Sequence, residues 1–221
     1  MKRLIVIEGL DGSGKSTQVE ILKNALQEKS VDVKQIKLPD YENPSSTLVK
    51  MYLNGDFGAS PKDVNAYAAS TFYAVDRFAS FTKKWKNDFE NGTLILADRY
   101  TTSNASHQMV KLPKSEWASY LNWLEDFEYN KVGIPKPNLV IYLDMPVEIS
   151  QKLMTSRYDG DEVKKDVHEC NVEYLKACRQ ASLYAVKELG WKCVECSNGD
   201  MPRSIEEISK DIMHLVLSEV L

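Results

Sequence analysis

The sequence predicts an α/β protein in which a five-stranded parallel sheet is covered by helices on both faces. Apolar runs and helical patterns alternate along the whole chain, as they do when each strand is followed by a crossover helix. The apolar runs are continuous, which indicates strands buried on both faces. The chain has 221 residues, 43% of them hydrophobic, which is enough for a sizeable core. We therefore expect a single domain over residues 1–221.

Five segments are predicted to form the strands. In chain order they are RLIVIE at 3–8, DVKQIKL at 32–38, TLILAD at 93–98, NLVIYLD at 138–144 and KCVEC at 192–196. The last contains Cys193 and Cys196 in a C-x-x-C spacing, which zinc and redox sites also use. In a strand, residues three apart point to opposite faces, so we interpret both as structural thiols.

The helices are predicted from signals at their ends. A helix over about 60–87 begins with Ser-Pro-Lys-Asp, which supplies a cap, a proline for the first turn and an acid for the helix dipole. A second helix covers 112–129, and a third begins at Pro146. The last helix, over about 204–221, opens with the capping-box pattern Ser-Ile-Glu-Glu.

A glycine-rich loop, GLDGSGKST, follows the first strand and leads into an amphipathic helix. It satisfies the pattern G-x-x-x-x-G-K-[ST], in which backbone N–H groups and the helix N-terminus converge on phosphate oxygens. We therefore predict a P-loop NTPase fold, with Lys15 at the terminal phosphates and Ser16 as a ligand of Mg²⁺. The predicted nucleotide-binding residues are Gly9, Leu10, Asp11, Gly12, Ser13, Gly14, Lys15, Ser16 and Thr17.

The end of the third strand indicates the type of reaction. The chain has no guanine-reading N-K-x-D, which argues against a GTPase. The strand at 93–98 ends in Asp98-Arg99-Tyr100, an acid followed directly by a base. We interpret Asp98 as organising the water ligands of Mg²⁺ and Arg99 as facing an anion. This favours transfer between two phosphate groups over hydrolysis, although Arg99 in a salt bridge at the strand end is an alternative.

A second pocket is predicted around the same strand. Tyr73 and Arg77 are four residues apart and share a helix face, so a ring and a guanidinium can meet one base there. An aromatic residue in an amphipathic helix is more often part of the core, so this pair alone is a weak indication. The polar stretch Thr101-Thr102-Ser103-Asn104, with His107 and Gln108, adds groups that suit a sugar and a base.

Together these motifs resemble the thymidylate kinase family, whose members transfer the γ-phosphoryl group of ATP to dTMP. The resemblance runs nearly end to end. It rests on IEGLDGSGKST, the Leu-Pro at 38–39, FYAVDR, DRYTTSNASHQ, GIPKPNLVIYLD and the D-x-x-E of Asp166 and Glu169. The phosphate loop is shared by many NTPases, whereas DRYTTSN followed by PKPNLVIYLD is much more specific.

The resemblance implies a role for each matched residue. Tyr73 would stack on thymine, Arg77 would contact a pyrimidine carbonyl, and Arg99 would bind the acceptor phosphate. Asp11 would lie near the acceptor's 3′-hydroxyl and phosphate. The implied acceptor-binding residues are Asp11, Pro39, Tyr73, Arg77, Arg99, Ser103, Asn104, His107, Gln108, Asp166 and Glu169, and the implied catalytic residues are Lys15, Arg99, Asp11 and Arg157.

The charged stretch TSRYDGDEVKKDVHE, residues 155–169, has no apolar stripe. Its composition indicates a solvated surface loop, but its place between two helices of a nucleotide-binding fold favours a short lid over the phosphates. Some members of the family carry an arginine in the phosphate loop, and others have glycine there and supply cations from the lid. Gly12 implies the second type, with Arg157 preferred over Lys164 and Lys165 as the cation.

Three positions depart from the family pattern. Asp40 follows Pro39, where many relatives have an arginine, and His168 stands in the lid motif where arginine or tyrosine is common. His107 stands where relatives often have a tyrosine that crowds out a ribose 2′-hydroxyl. These departures leave open another pyrimidine nucleoside monophosphate kinase, acting on dUMP, UMP or CMP. A non-catalytic nucleotide-switched binding module is the other alternative, against which Lys15 and Arg99 both argue.

Composition constrains the partners. The net charge of -4 argues against a nucleic-acid polymer as ligand. No apolar run approaches the roughly 20 residues that span a membrane. We therefore expect a cytoplasmic enzyme that binds ATP, dTMP and Mg²⁺. The resemblance also implies a homodimer formed through helices, for which the Leu, Tyr and Trp residues of 64–89 and 112–129 are candidates.

Overall fold

The sheet has the five parallel strands that the sequence predicts. The structure, a computed structural model, describes residues 2–157 and 172–221, and only the backbone of 155–157. The strands are β1 (Arg3–Gly9), β2 (Val33–Lys37), β3 (Leu94–Asp98), β4 (Leu139–Asp144) and β5 (Lys192–Glu195). They are ordered β2-β3-β1-β4-β5, and every neighbouring pair is parallel. The predicted fold class is confirmed.

The described helices connect these strands. They are α1 (Lys15–Glu28), α2 (Thr47–Leu53), α3 (Ala66–Ser80), α4 (Lys86–Glu90), α5 (Thr102–His107), α6 (Trp117–Glu125), α7 (Val147–Arg157), α8 (Val172–Leu189) and α9 (Ile205–Glu219). A π-helical turn at Phe81–Trp85 joins α3 to α4, and another at Asp126–Val132 extends α6. A short hairpin, β6 (Ser197–Asn198) and β7 (Met201–Pro202), precedes α9.

Alternate residues of β1 enter two different cores. Ile5 and Ile7 pack with residues of α1 and α9 on one face of the sheet. Leu4 and Val6 pack on the other face, with Trp85 and its neighbours. This two-residue alternation is the geometry of a strand buried on both sides, and it explains why the apolar run is continuous. The sheet order reverses at β1, and in such sheets ligands bind at the carboxyl ends of the strands.

The predicted start of the long helix is wrong. The helix begins at Ala66, and its cap is Asn65, whose side chain accepts a hydrogen bond from the Ala68 N–H at 2.8 Å. The carboxylate of Asp63 instead accepts from the Ser60 N–H at 2.9 Å, so the Ser60–Asp63 signal closes a turn. The predicted cap of the last helix is confirmed, because Ser204 and Glu207 form a reciprocal capping box.

The cysteines behave as structural thiols where the structure describes them. Cys193, in β5, is exposed, and Cys196, one residue beyond that strand, is buried; neither forms a disulfide, nor does Cys178. Within residues 2–157 and 172–221, no group of three or more His, Cys, Asp or Glu side chains has the arrangement of a metal cage. No helix in these two segments is long and apolar enough to cross a membrane.

Candidate functional site

The glycine-rich loop presents the N-terminus of α1 without a competing side chain. Gly14 is the N-cap residue and has the left-handed conformation, with φ of 88°. No side chain caps the helix and no acidic residue lies in its first turn. The first N–H groups of a helix have no partner within it, so these donors are available to an anion.

Gly12 leaves no room for a side chain in this loop. Its φ is +78°, a conformation that disfavours other residues. A Cβ at this position would lie 2.5 Å from the carbonyl oxygen of Ser150 on α7. An arginine at position 12 would therefore require a movement of α7.

Lys15 is buried and lies over the loop. Its Nζ donates a hydrogen bond to the Leu10 carbonyl at 2.8 Å and lies 3.7 Å from a carboxylate oxygen of Asp11. Burial lowers the pKa of Lys15, and the charge of Arg99 lowers it further. An anion bound on the loop would find a desolvated ammonium group already in place.

Ser16 and Asp98 meet although they are far apart in the chain. The Ser16 hydroxyl, in the first turn of α1, donates to Asp98 Oδ2 at the end of β3, at 2.7 Å. A hydroxyl and a carboxylate are the hard oxygen ligands that Mg²⁺ prefers. Mg²⁺ usually keeps several waters and takes only one or two protein ligands, so this pair fits the ion.

Arg99 joins the phosphate loop to the segment after β3. Its Nη2 donates to Asp11 Oδ1 at 2.5 Å, and its Nη1 lies 3.3 Å from Glu8 Oε1 and 3.2 Å from Ser103 Oγ. Burial opposes the charged form, but Asp11 and Glu8 outweigh it and raise the pKa of Arg99. Burial would likewise raise the pKa of Asp11, yet Arg99 and Lys15 hold it well below its usual range. The predicted phosphate-loop and acceptor residues therefore share one ionic network.

Glu8 is a member of this network that sequence reasoning missed. It is fully buried, and its carboxylate accepts hydrogen bonds from the Gly9 N–H at 2.9 Å and from Thr102 and Ser103 at 2.7 Å each. A carboxylate at the end of an otherwise apolar strand was the available signal, because buried charges require partners. Glu8 thus holds the Arg99 guanidinium and the two hydroxyl groups of the segment that follows β3.

The predicted base-binding residues lie on α3 and α5. Tyr73 is half-buried, and its ring meets that of Tyr52 edge-on, with centroids 6.4 Å apart. Asn104 and Gln108 are buried, as is His107. The Gln108 Oε1 atom has no hydrogen-bond partner among the described residues. A buried acceptor left in this way is available to a donor on a ligand.

Arg77 is held by a partner that the sequence did not indicate. Its guanidinium forms a buried ion pair with Glu128, in which Nε donates to Oε2 at 3.3 Å and Nη2 contacts Oε1. Burial opposes the charge of Arg77, but Glu128 outweighs it and raises the pKa. The predicted contact of Arg77 with a pyrimidine carbonyl stays a prediction, and it would use the remaining nitrogen.

The segment after β2 is fixed by Asp76 of α3. Asp76 accepts from the Asp40 N–H at 2.8 Å and from the Ser45 hydroxyl at 2.7 Å. The Asp40 carboxylate is paired with Lys84 at 2.6 Å. The negative charge that departs from the family pattern is thus balanced within the chain. Pro39, which precedes Asp40, is joined to Leu38 by a cis peptide bond.

The remaining predicted residues differ in exposure, and some of them lie outside the described part of the chain. Leu10 is buried in a cluster with Val147 and Leu175, so only its backbone can face a ligand, whereas Thr17 is exposed. Five predicted side chains lie outside the described residues: Arg157, Lys164, Lys165, Asp166 and Glu169.

The comparisons with known proteins identify the family of the chain. The family model described as "Thymidylate kinase" matches residues 7–212, which is nearly the whole chain. The chain belongs to the thymidylate kinase family. The family and the class of enzyme predicted from the sequence are confirmed.

Relatives within the thymidylate kinase family are distant but of full length. A probable thymidylate kinase of Thermococcus gammatolerans is 30% identical over 221 residues, which is 98% of this chain and 97% of the relative. A thymidylate kinase of Dictyostelium discoideum is 27% identical over 217 residues, 97% of this chain and 85% of the relative. The structure of thymidylate kinase from Candida albicans, 23% identical, has a TM-score of 0.71 and covers 98% of this chain and 91% of its own, which supports the fold.

Proposed function

We propose that this protein transfers the γ-phosphoryl group of ATP to dTMP, giving ADP and dTDP. The observation that carries the proposal is the contact between Asp11 and Arg99, which brings the phosphate loop against the acceptor segment. An oxygen of the dTMP phosphate attacks the γ-phosphorus, and the bond to the β–γ bridging oxygen breaks with its electron pair left on ADP. Such transfer depends mainly on positioning and on charge stabilisation.

Arg99 changes partners when the acceptor binds. A guanidinium has five donors, so Arg99 can keep Glu8 and turn the donor now given to Asp11 toward the acceptor phosphate. Asp11 is then free to accept a hydrogen bond from the acceptor's 3′-hydroxyl. This role explains why an acidic residue can stand in a phosphate loop: Asp11 binds the acceptor and not the phosphates of ATP.

The cations of the site neutralise different parts of the phosphate charge. Ser16 and Asp98 would hold Mg²⁺, which would neutralise charge on the ATP phosphates. Lys15 neutralises charge on the transferring group from the loop side. The crowding around Gly12 supports a further cation from residues 155–169, which we propose as the lid, with Arg157 as the acting residue.

The acceptor preference is tested by a panel of nucleotides. With Mg²⁺ and ATP, we expect ADP release to have the highest kcat/KM with dTMP, at least about tenfold above UMP, CMP and AMP. Because His107 is smaller than tyrosine, the preference for dUMP over UMP is expected to be weak. The measurement is a coupled assay of ADP with each acceptor at several concentrations.

Each other result of the panel has a definite meaning. A lead by UMP, CMP or dUMP would assign the chain to another pyrimidine acceptor, and a lead by AMP would overturn the pyrimidine site as well. ATP binding without ADP release for any acceptor would favour a nucleotide-switched binding module. The net charge of -4 favours free nucleotides over a nucleic-acid polymer, and we place the reaction in the cytoplasm.

We propose that a second copy of the chain covers α3. Of the ten Leu, Tyr and Trp residues that were candidates for this interface, five are core residues: Trp85, Trp117, Tyr120, Leu121 and Leu124. On α3, however, Tyr67, Val75 and Phe78 are exposed, and their spacing places them on one side of the helix. A row of exposed apolar residues on one helix suits a symmetric helical interface.

Charging this row is expected to separate the protomers. Phe78→Asp should weaken the dimer at least about 30-fold, because a buried aromatic anchor would be replaced by an unpaired charge. Leu217→Asp on α9 is the matched control, since Leu217 is 45% exposed and Phe78 is 48% exposed. Sedimentation velocity across micromolar concentrations makes the measurement. A monomeric parent protein, or equal behaviour of the two variants, would contradict this interface.

A further inference from the structure

Lys111 is a half-buried basic residue beside the acceptor site. It ends the short helical turn Met109–Lys111 that follows α5. Its Nζ donates hydrogen bonds to the hydroxyl of Tyr52 at 2.9 Å and to the carbonyl of Val64 at 2.8 Å. The same nitrogen lies 4.8 Å from the centroid of the Tyr52 ring, within the range of a cation–π interaction. One ammonium group therefore fixes both the hydroxyl and the ring of Tyr52.

The position of Lys111 is costly for a charged group. Burial lowers its pKa to about 7, and the nearby Cys178 opposes this shift. No carboxylate forms an ion pair with Lys111 in the described part of the chain. A partly desolvated ammonium without a counter-ion does not serve stability well, and such groups are found more often at functional sites.

Tyr52 connects this cation to the base-binding platform. It is buried on α2, and its ring meets that of Tyr73 at 87°, with centroids 6.4 Å apart. Edge-to-face pairs favour a defined relative orientation of the two rings. Val64, the other partner of Lys111, directly precedes the N-cap of α3, the helix that carries Tyr73. Both contacts of Lys111 thus act on the position of one ring.

We propose that Lys111 is a positioning residue for the acceptor base, because it holds Tyr52 in the orientation that supports Tyr73. The inference rests on the proposed function, in which the base stacks on Tyr73. An ammonium group has three donors, so it can hold the hydroxyl and the carbonyl at the same time. This effect does not require any atom of Lys111 or of Tyr52 to touch the substrate.

The test compares the effect of a variant on the KM for dTMP with its effect on the KM for ATP. Lys111→Met keeps an unbranched side chain, one atom shorter, and removes the charge and the donors. We expect it to raise the KM for dTMP about fivefold to tenfold, with kcat and the KM for ATP within about twofold of the parent enzyme. Lys111→Arg should recover most of the loss. Lys114→Met is the matched control, because Lys114 lies 5.7 Å over the Trp117 ring, away from Tyr52.

A double-variant cycle separates this role from a purely structural one. Tyr52→Phe removes only the hydroxyl and should raise the KM for dTMP by about twofold to threefold. In the Lys111→Met background it should have a smaller effect than in the parent enzyme, because the hydrogen bond from Lys111 to this hydroxyl is already absent. If the rise in KM for dTMP in the double variant equals the product of the rises in the two single variants, the inference is overturned. A KM for dTMP that is unchanged in Lys111→Met, or a rise that the KM for ATP matches, would also overturn it.

The same measurements keep the two proposals apart. If the parent enzyme turns over no dTMP, the proposed function fails first, and this inference falls with it. If the parent enzyme is active with dTMP and Lys111→Met resembles Lys114→Met, the proposed function stands and the inference alone is wrong.

Discussion

Replacing Lys15 with alanine is expected to lower kcat by about 10³-fold or more while the fold is retained. Negative charge is redistributed over the oxygens of the transferring group, and the Lys15 ammonium is already desolvated and held by the Leu10 carbonyl. A group fixed before the reaction stabilises that charge without reorganisation. Because burial disfavours the charged form of Lys15, removing it should cost the fold little.

The control for this prediction lies on the same helix. Lys23 is solvent-accessible and forms an ion pair with Glu20 at 3.2 Å, one turn apart on α1. Lys23→Ala should leave kcat within about twofold of the parent enzyme. ADP release at saturating ATP and dTMP gives the rates, and thermal unfolding checks the fold. Turnover of Lys15→Ala within about tenfold of the parent enzyme would contradict the mechanism.

Replacing Arg99 with glycine is expected to lower kcat/KM for dTMP by about 10²-fold to 10³-fold, with the KM for ATP within about threefold. The guanidinium is the group that reaches both Asp11 and Ser103, and we propose that it binds the acceptor phosphate. Glycine also relieves the backbone strain at this position, where φ is 68°, so Arg99→Ala, which keeps the Cβ and the same strain, is measured beside it.

A series at position 99 separates the charge from the geometry. Arg99→Lys keeps a cation but loses the planar fork, so it should recover only part of the loss in kcat/KM. Each variant leaves Glu8 buried with a weaker partner, at a cost on the order of 3 kcal/mol in the free energy of unfolding. Activity is therefore measured well below the unfolding midpoint. Arg203→Ala, which breaks a remote pair with Asp211, is the control. Equal losses for ATP and dTMP would refute the assignment.

Contiguous patterns made the family and the sheet predictable. A strand buried on both faces is one apolar run, and the phosphate loop is one stretch of nine residues, so neither depends on distant parts of the chain. The capping box at Ser204 was predicted for the same reason. The signal at Ser60–Asp63 failed because a carboxylate can cap a turn as well as a helix, and the local sequence does not distinguish the two.

The sequence by itself determined the fold class, the family and the glycine-rich loop between the first strand and the first helix. Tertiary structure alone decided which groups are paired: Arg99 with Glu8, Arg77 with Glu128, and Lys111 with Tyr52. These partners are 51 to 91 residues apart in the sequence. Many other carboxylates and hydroxyls in the chain could pair with each cation equally well. Only the packing of helices on the sheet selects one partner, since the energy of a buried ion pair depends on distances that the fold fixes.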